Sequence, residues 1–187
     1  MQRHLLAVWL VLTCTVAFAQ DAEPQQKSPA DAMRGLRLKM LTTPPAELDI
    51  QPSKSFPRVY GVVMDWALKD VTVTIVSLAD GSASLYSTST FGIIGGSNYE
   101  SVRTAAATFV RTAANHYRGA SPVKEYAYPD PGRVRFYLVC FDGVRMVEKD
   151  EQKLKAGKDA YSGLWKKGQA VLTELRLIAQ QQMEKKQ

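Results

Sequence analysis

Cysteine and histidine are almost missing from this chain, with two of each among 187 residues. One of each pair, His4 and Cys14, lies in the opening stretch "MQRHLLAVWLVLTCTVAFAQ". Arg3 and His4 form a charged start, Leu5 to Val16 an apolar run, and Ala17-Phe18-Ala19 an A-x-A cleavage site, so residues 1–19 read as a signal sequence cut before Gln20. Val11-Leu12-Thr13 ahead of Cys14 is a poor lipid-attachment box. The apolar run is well short of the ~20 residues that cross a bilayer, and no later segment approaches that length. The expected product is an exported chain, periplasmic or secreted, with no transmembrane segment.

Cleavage leaves Cys140 and His116 as the sole members of their kinds. An intrachain disulfide is then excluded, and so is a zinc centre built from histidine and cysteine within one chain. Neither G-x-x-x-x-G-K-[ST] nor G-x-G-x-x-G occurs, which removes the two best-defined phosphate-cradling loops. Asp65, Asp70, Asp80 and Asp142 lack the spacing of a calcium loop. No metal or cofactor is expected. A concentrated basic run is also missing, so nucleic acid is not an expected partner; removing the signal takes away one of the 24 Lys and Arg and leaves a net charge of +5.

Three segments follow from what is present: the signal at 1–19, a flexible tether, short helix and Pro-rich connector over 20–57, and a single α+β domain over 58–187. Ser28 and Pro29 suit a helix start, and Met33, Leu36 and Met40 share one face. "RVYGVVMDWAL" reads as a strand in which Tyr60, Val62, Met64 and Trp66 alternate against Val59, Gly61, Val63 and Asp65. "VTVTIVSLA" and "SASLYST" flank Asp80-Gly81, and "RVRFYLVCF" and "VRMVEKD" flank Asp142-Gly143. Both dipeptides suit the type I′ turn of a hairpin. Tyr99, Val102, Ala106, Phe109, Ala113 and Tyr117 make one helical stripe, and Leu164, Val171, Leu172, Leu175 and Ile178 another, with fraying expected in "QQQMEKKQ". The expected fold is α+β: one antiparallel sheet of about five strands in the order βββ-α-ββ-α, with a short N-terminal helix and helices flanking it. Profilin-like and roadblock-like domains are comparable at the level of fold analogy.

The phrases "VYGVVMDW", "SLADGSASLYST", "GIIGG" and "PGRVRFYLVCFDGVR", with "LTTPPAELDI" and "LTELRL", resemble a group of short bacterial proteins without assigned activity. The resemblance runs from Leu41 to Leu177. In that group the segment matching "STSTFGIIGGS" is richer in glycine. It implies domain limits and carries over no catalytic residue.

Two places are candidate sites. "FGIIGGSNYESVRTAA" is a glycine-rich passage from strand to helix, and Gly92, Gly95, Gly96, Ser97 and Arg103 could hold an anion at the helix N-terminus. Ser97 is also half of a G-x-S-x-G elbow, but Tyr99 replaces the second glycine. His116, nineteen residues on, lies about 28 Å away along a straight helix, too far for a dyad. Ser97-Asn98-Tyr99-Glu100 fits the S-x-x-E capping box, a sufficient structural task for Ser97. The second place is the strand face of Arg135, Tyr137, Val139 and Phe141, which with Tyr126 and Tyr128 could form a partner surface, unless a helix covers it. Cys140, in phase with Val134, Phe136 and Leu138, is expected in the core. Glu148, Asp150 and Glu151, followed by Lys153, Lys155 and Lys158, read as a solvated surface. The leading functional expectation is a non-enzymatic exported domain that binds or scaffolds protein, with homodimerisation compatible. A small-ligand or anion-binding protein using the Gly92–Ser97 loop is the alternative, and a hydrolase the third.

Overall fold

The computed structural model describes residues 28–89 and 91–185. The expected signal and most of the tether lie outside the described residues. Helix α1 spans Pro29–Thr42, and Ser28 Oγ accepts from the Asp31 N–H at 3.1 Å to cap it. Strands β1 (Val59–Ala67), β2 (Thr72–Leu78), β3 (Ala83–Ser87) and β4 (Gly92–Ile93) follow, then α2 (Glu100–Ala114). After it come β5 (Ser121–Pro122), β6 (Arg133–Cys140), β7 (Gly143–Asp150), α3 (Glu151–Lys155) and α4 (Ser162–Glu184).

All seven strands join one antiparallel sheet in the order β4-β3-β2-β1-β6-β7-β5. The α+β class stands, but the expected count of about five strands is corrected to seven. The two unexpected strands have two residues each, too few to show alternation, and each contains glycine or proline. They occupy the two outer edges. Short edges of this kind limit unwanted strand pairing.

The sheet is covered on both faces. Helices α2 and α4 pack on one, burying Met64, Phe109, Phe136, Leu138, Leu164 and Leu175; a fully buried aromatic or Leu side chain contributes about 1.5–3 kcal/mol. On the other face lie α1, the stretch down to Ile50 and the loop from Val123, over Tyr60, Val63, Val76, Tyr137 and Val139. Double coverage explains why eight of the nine β1 residues are buried and the polar alternation of a one-sided strand is absent.

Local corrections have clear causes. The register shifts between Val59 and Gly61, so Tyr60 joins Val63 on the α1 face while Val59 joins Val62 and Met64 under α2. One extra residue reverses the alternation, as a bulge must. Both Asp-Gly hairpins form, but only Gly81 and Gly143 have positive φ, so neither is a type I′ turn, which needs positive φ at both central residues. Asp80 instead accepts from the Ser82 N–H at 2.8 Å. Helix α4 continues to Glu184, through the stretch expected to fray.

Candidate functional site

The glycine-rich passage forms the sheet edge and the corner before α2. Gly92 lies in β4 against α1, where a Cβ would stand 2.5 Å from Met33 Sδ. Gly95 takes φ +85°, a left-handed conformation that costs other residues about 1–2 kcal/mol. At Gly96 a Cβ would meet Leu175 Cδ2 and Val102 Cγ1, each at 2.7 Å. Each glycine therefore has a steric reason to be glycine. The structure brings Gly95, Gly96, Ser97 and Arg103 to one corner and places Gly92 apart, facing α1.

The capping box does not form. Residues Gly96–Asn98 make a 3-10 turn, so the residue preceding α2 is Tyr99, and no side chain caps the helix. Arg103 Nη1 donates to the Ser97 carbonyl at 2.8 Å and closes the turn. Its guanidinium thus has a structural partner at the place where an anion was expected. Ser97 and His116 flank opposite ends of α2, whose 15 residues span about 22 Å. His116 stacks on Tyr161 with centroids 4.2 Å apart. Burial, with Lys149 nearby, holds its pKa below the ordinary value against the pull of Asp159.

The Arg-Tyr face is occupied from within. Asp65, near the C-terminal end of β1, is wholly buried and takes Arg37 Nε at 2.9 and 3.1 Å, with Nη2 on the same carboxylate. Thr74 Oγ1 donates to it at 2.6 Å. Arg37 Nη1 donates to the Tyr126 carbonyl at 2.8 Å, and its guanidinium lies 4.1 Å from the Tyr128 ring centroid. Burial pushes the Asp65 carboxyl up from its ordinary value, and the hydrogen bonds from Arg37 and Thr74 offset only part of that rise. Tyr137, fully buried, and Arg135 both donate to the Ala127 carbonyl, at 2.6 and 2.7 Å. Tyr126, Tyr128, Arg135 and Tyr137 are brought together, but they fasten α1 and the 123–131 loop to the sheet. From the sequence, Asp65 is weighed as a site residue only as a calcium ligand, which its spacing excludes, and Arg37 is not reached. The available signal was an acid inside "VVMDWA", since a carboxylate in a doubly covered strand requires a buried cation.

The acidic cluster has internal tasks too. Glu148 accepts from Arg135 and Arg133 at 2.6 and 3.1 Å. Asp150 caps α3 through the Lys153 N–H, and Glu151 accepts from Trp66 Nε1 at 2.8 Å. All three residues are part-exposed, so the cluster lies at the surface while each carboxylate also holds a partner within the fold. Cys140 is 3 % exposed, and burial, with a smaller contribution from Asp142, pushes its thiol up to about 12.

An open groove of about 790 Å³ lies between β4 and the last three turns of α4, while the hollows of about 550 Å³ between α2 and α4 and about 290 Å³ beside Gly81 are lined mainly by polar and small side chains. Phe91, Gly92, Ile93 and Ile94 form one wall, and Thr173, Arg176, Leu177, Gln180 and Met183 lie on the other. Phe91, Ile94, Leu177 and Met183 are 48–62 % exposed. They are four of the five large apolar side chains left exposed among the described residues. An adjoining 240 Å³ hollow lined by Trp66, Val73, Leu85 and Leu172 shares Phe91 and Arg176 with the groove. Arg176 is the one charged residue lining either space. Ser87 N–H donates to the Phe91 carbonyl, so backbone alternation turns the Gly92 amide away from β3, toward the open edge.

No family model, curated protein or solved structure matches the chain. The class of molecule defined by these features is an α+β domain with a doubly covered antiparallel sheet and an apolar strand–helix groove. Among the described residues no group of three or more His, Cys, Asp and Glu side chains is placed to hold a metal ion, and no helix is long and apolar enough to cross a membrane.

Proposed function

We propose that this protein is an exported, non-enzymatic domain that binds or scaffolds another protein, and that the β4–α4 groove is its binding surface. The observation that carries this reading is the concentration of Phe91, Ile94, Leu177 and Met183 around one groove. Contiguous exposed apolar patches of this kind mark interaction sites. The charged and aromatic side chains that would serve chemistry or an alternative surface are spent on internal contacts: Arg37 on Asp65, Arg103 on Ser97, Arg135 on Glu148. The export signal at 1–19 supports an extracytoplasmic setting for the partner.

A photo-crosslinking residue placed at Ile94, and separately at Tyr128, tests the surface in cells that export the protein. Protein adducts from Ile94 and none from Tyr128 are expected. Adducts from Tyr128 alone, or from neither position, overturn the assignment.

A further inference from the structure

The exposed side of α4 has an unusual internal symmetry. Around Gln180, at 100° per residue, Thr173, Arg176, Leu177, Met183 and Glu184 all fall within about 60° of one direction. Relative to Gln180, Leu177 is three residues before and Met183 three after; Arg176 is four before and Glu184 four after. Laid antiparallel against a second copy with the axis at Gln180, the helix sets Leu177 of one copy opposite Met183 of the other. The same register sets Arg176 of one opposite Glu184 of the other. Each contact then occurs twice, as a two-fold interface requires. A parallel arrangement would oppose Arg176 to Arg176 and Glu184 to Glu184, so the charges select the antiparallel one.

We propose that the β4–α4 groove is filled by a second copy of this chain, with α4 packed antiparallel on α4 about a two-fold axis through Gln180. The proposal rests on the preceding reading of the groove as a protein-binding surface and names the protein. Charge complementarity is its main support. Arg176 has no hydrogen-bond or ion-pair partner among the described residues, and Glu184 accepts one bond, from Gln180 Nε2 at 3.2 Å. In the paired arrangement each gains an opposite charge, and the Gln180 amides, each both donor and acceptor, meet at the axis. Phe91 and Ile94 then close over the partner helix from the β4 wall, and antiparallel helices also set their macrodipoles favourably. Arg176 and Glu184 are eight residues apart, too far to interact within one helix, so exchanging them leaves intrahelical pairing untouched.

The test is sedimentation equilibrium on the full mature chain and four variants, with thermal unfolding to show that each variant is folded. Wild type is expected at twice the monomer mass at micromolar concentration. Arg176→Glu and Glu184→Arg should each weaken association about tenfold or more by opposing like charges twice. The double exchange should restore it, an outcome that general loss of folding or of surface charge does not produce. Leu177→Asp should give monomer. A wild type that stays monomeric overturns the proposal, as does a dimer indifferent to Leu177→Asp and both reversals, or failure of the exchange to restore. A monomer that still crosslinks through Ile94 to a different protein refutes self-pairing while leaving the groove as the binding surface. Loss of that crosslink removes the groove as well.

Discussion

Replacing Arg37 with Met leaves Asp65 buried in a strand covered on both faces, with Thr74 as its remaining side-chain donor. The side chains of the pair are 4 % and 0 % exposed, so water cannot substitute for the guanidinium. The variant loses three N–H contacts to the carboxylate and the one to the Tyr126 carbonyl. Breaking a buried pair by removing one partner costs about 3–5 kcal/mol. For a domain of this length that lowers Tm by roughly 2–4 °C per kcal/mol. The pH response has a definite sign. Without Arg37 the Asp65 carboxyl rises further above its unfolded value, so the folded state prefers the protonated acid. The deficit is then full at neutral pH and shrinks as pH falls toward the unfolded value of about 4. Arg37→Met/Asp65→Leu removes both charges and should recover most of the loss. Guanidinium unfolding of the four proteins at pH 7 and pH 5 measures the cycle. A single-variant cost under about 1 kcal/mol, equal at both pH values, refutes the claim that the pair fastens α1 to the sheet.

Ser97→Ala should change stability by less than about 0.5 kcal/mol, because the serine caps nothing; a functioning cap would cost about 0.5–2. Gly96→Ala, whose Cβ would press on Leu175 and Val102, should cost about 1–3 kcal/mol in the same guanidinium titration. His116 and Glu148 both have depressed folded-state values, the first through burial and the second because the Arg135 and Arg133 hydrogen bonds outweigh burial. Each therefore stabilises fully above its unfolded value and loses that contribution as pH falls, first below about 6.5 and again below about 4.5. His116→Gln should abolish the upper step in a Tm–pH profile, and an unchanged profile contradicts the assignment. Cys140 should react with a thiol reagent only at the rate of local opening, becoming fast in denaturant; rapid modification of the native protein would show the strand to be open.

The parts of the fold that repeat a short period could be read from the sequence. Val134, Phe136, Leu138 and Cys140 do lie on one face under the helices, and Val102, Ala106, Phe109 and Ala113 do form the buried stripe of α2. β4 and β5 could not be read, since two residues cannot establish a period and their pairing depends on strands distant in sequence. The face of Tyr60 was lost to a bulge. The capping box failed because a 3-10 turn moved the cap of α2 from Ser97 to Tyr99, a two-residue shift that the motif does not encode. For the candidate site, the glycine passage lies next to the proposed groove, but its glycines are there for other reasons. Gly92, Gly95 and Gly96 answer to packing and φ, and the open surface lies beside them, on Phe91 and Ile94. Its other wall, Leu177 and Met183, lies in a stretch whose three glutamines mask the helical stripe.

The central claim is that a second copy of this chain covers this groove, and methionine-methyl NMR with a soluble paramagnetic probe examines it most directly. Met183 is 62 % exposed in the isolated chain, whereas Met64 is buried. In the wild-type protein at the concentrations where copies associate, the Met183 methyl should be shielded from the probe, and in Arg176→Glu it should become strongly relaxed while Met64 stays unaffected. A Met183 methyl fully relaxed in wild type at every concentration would contradict the account.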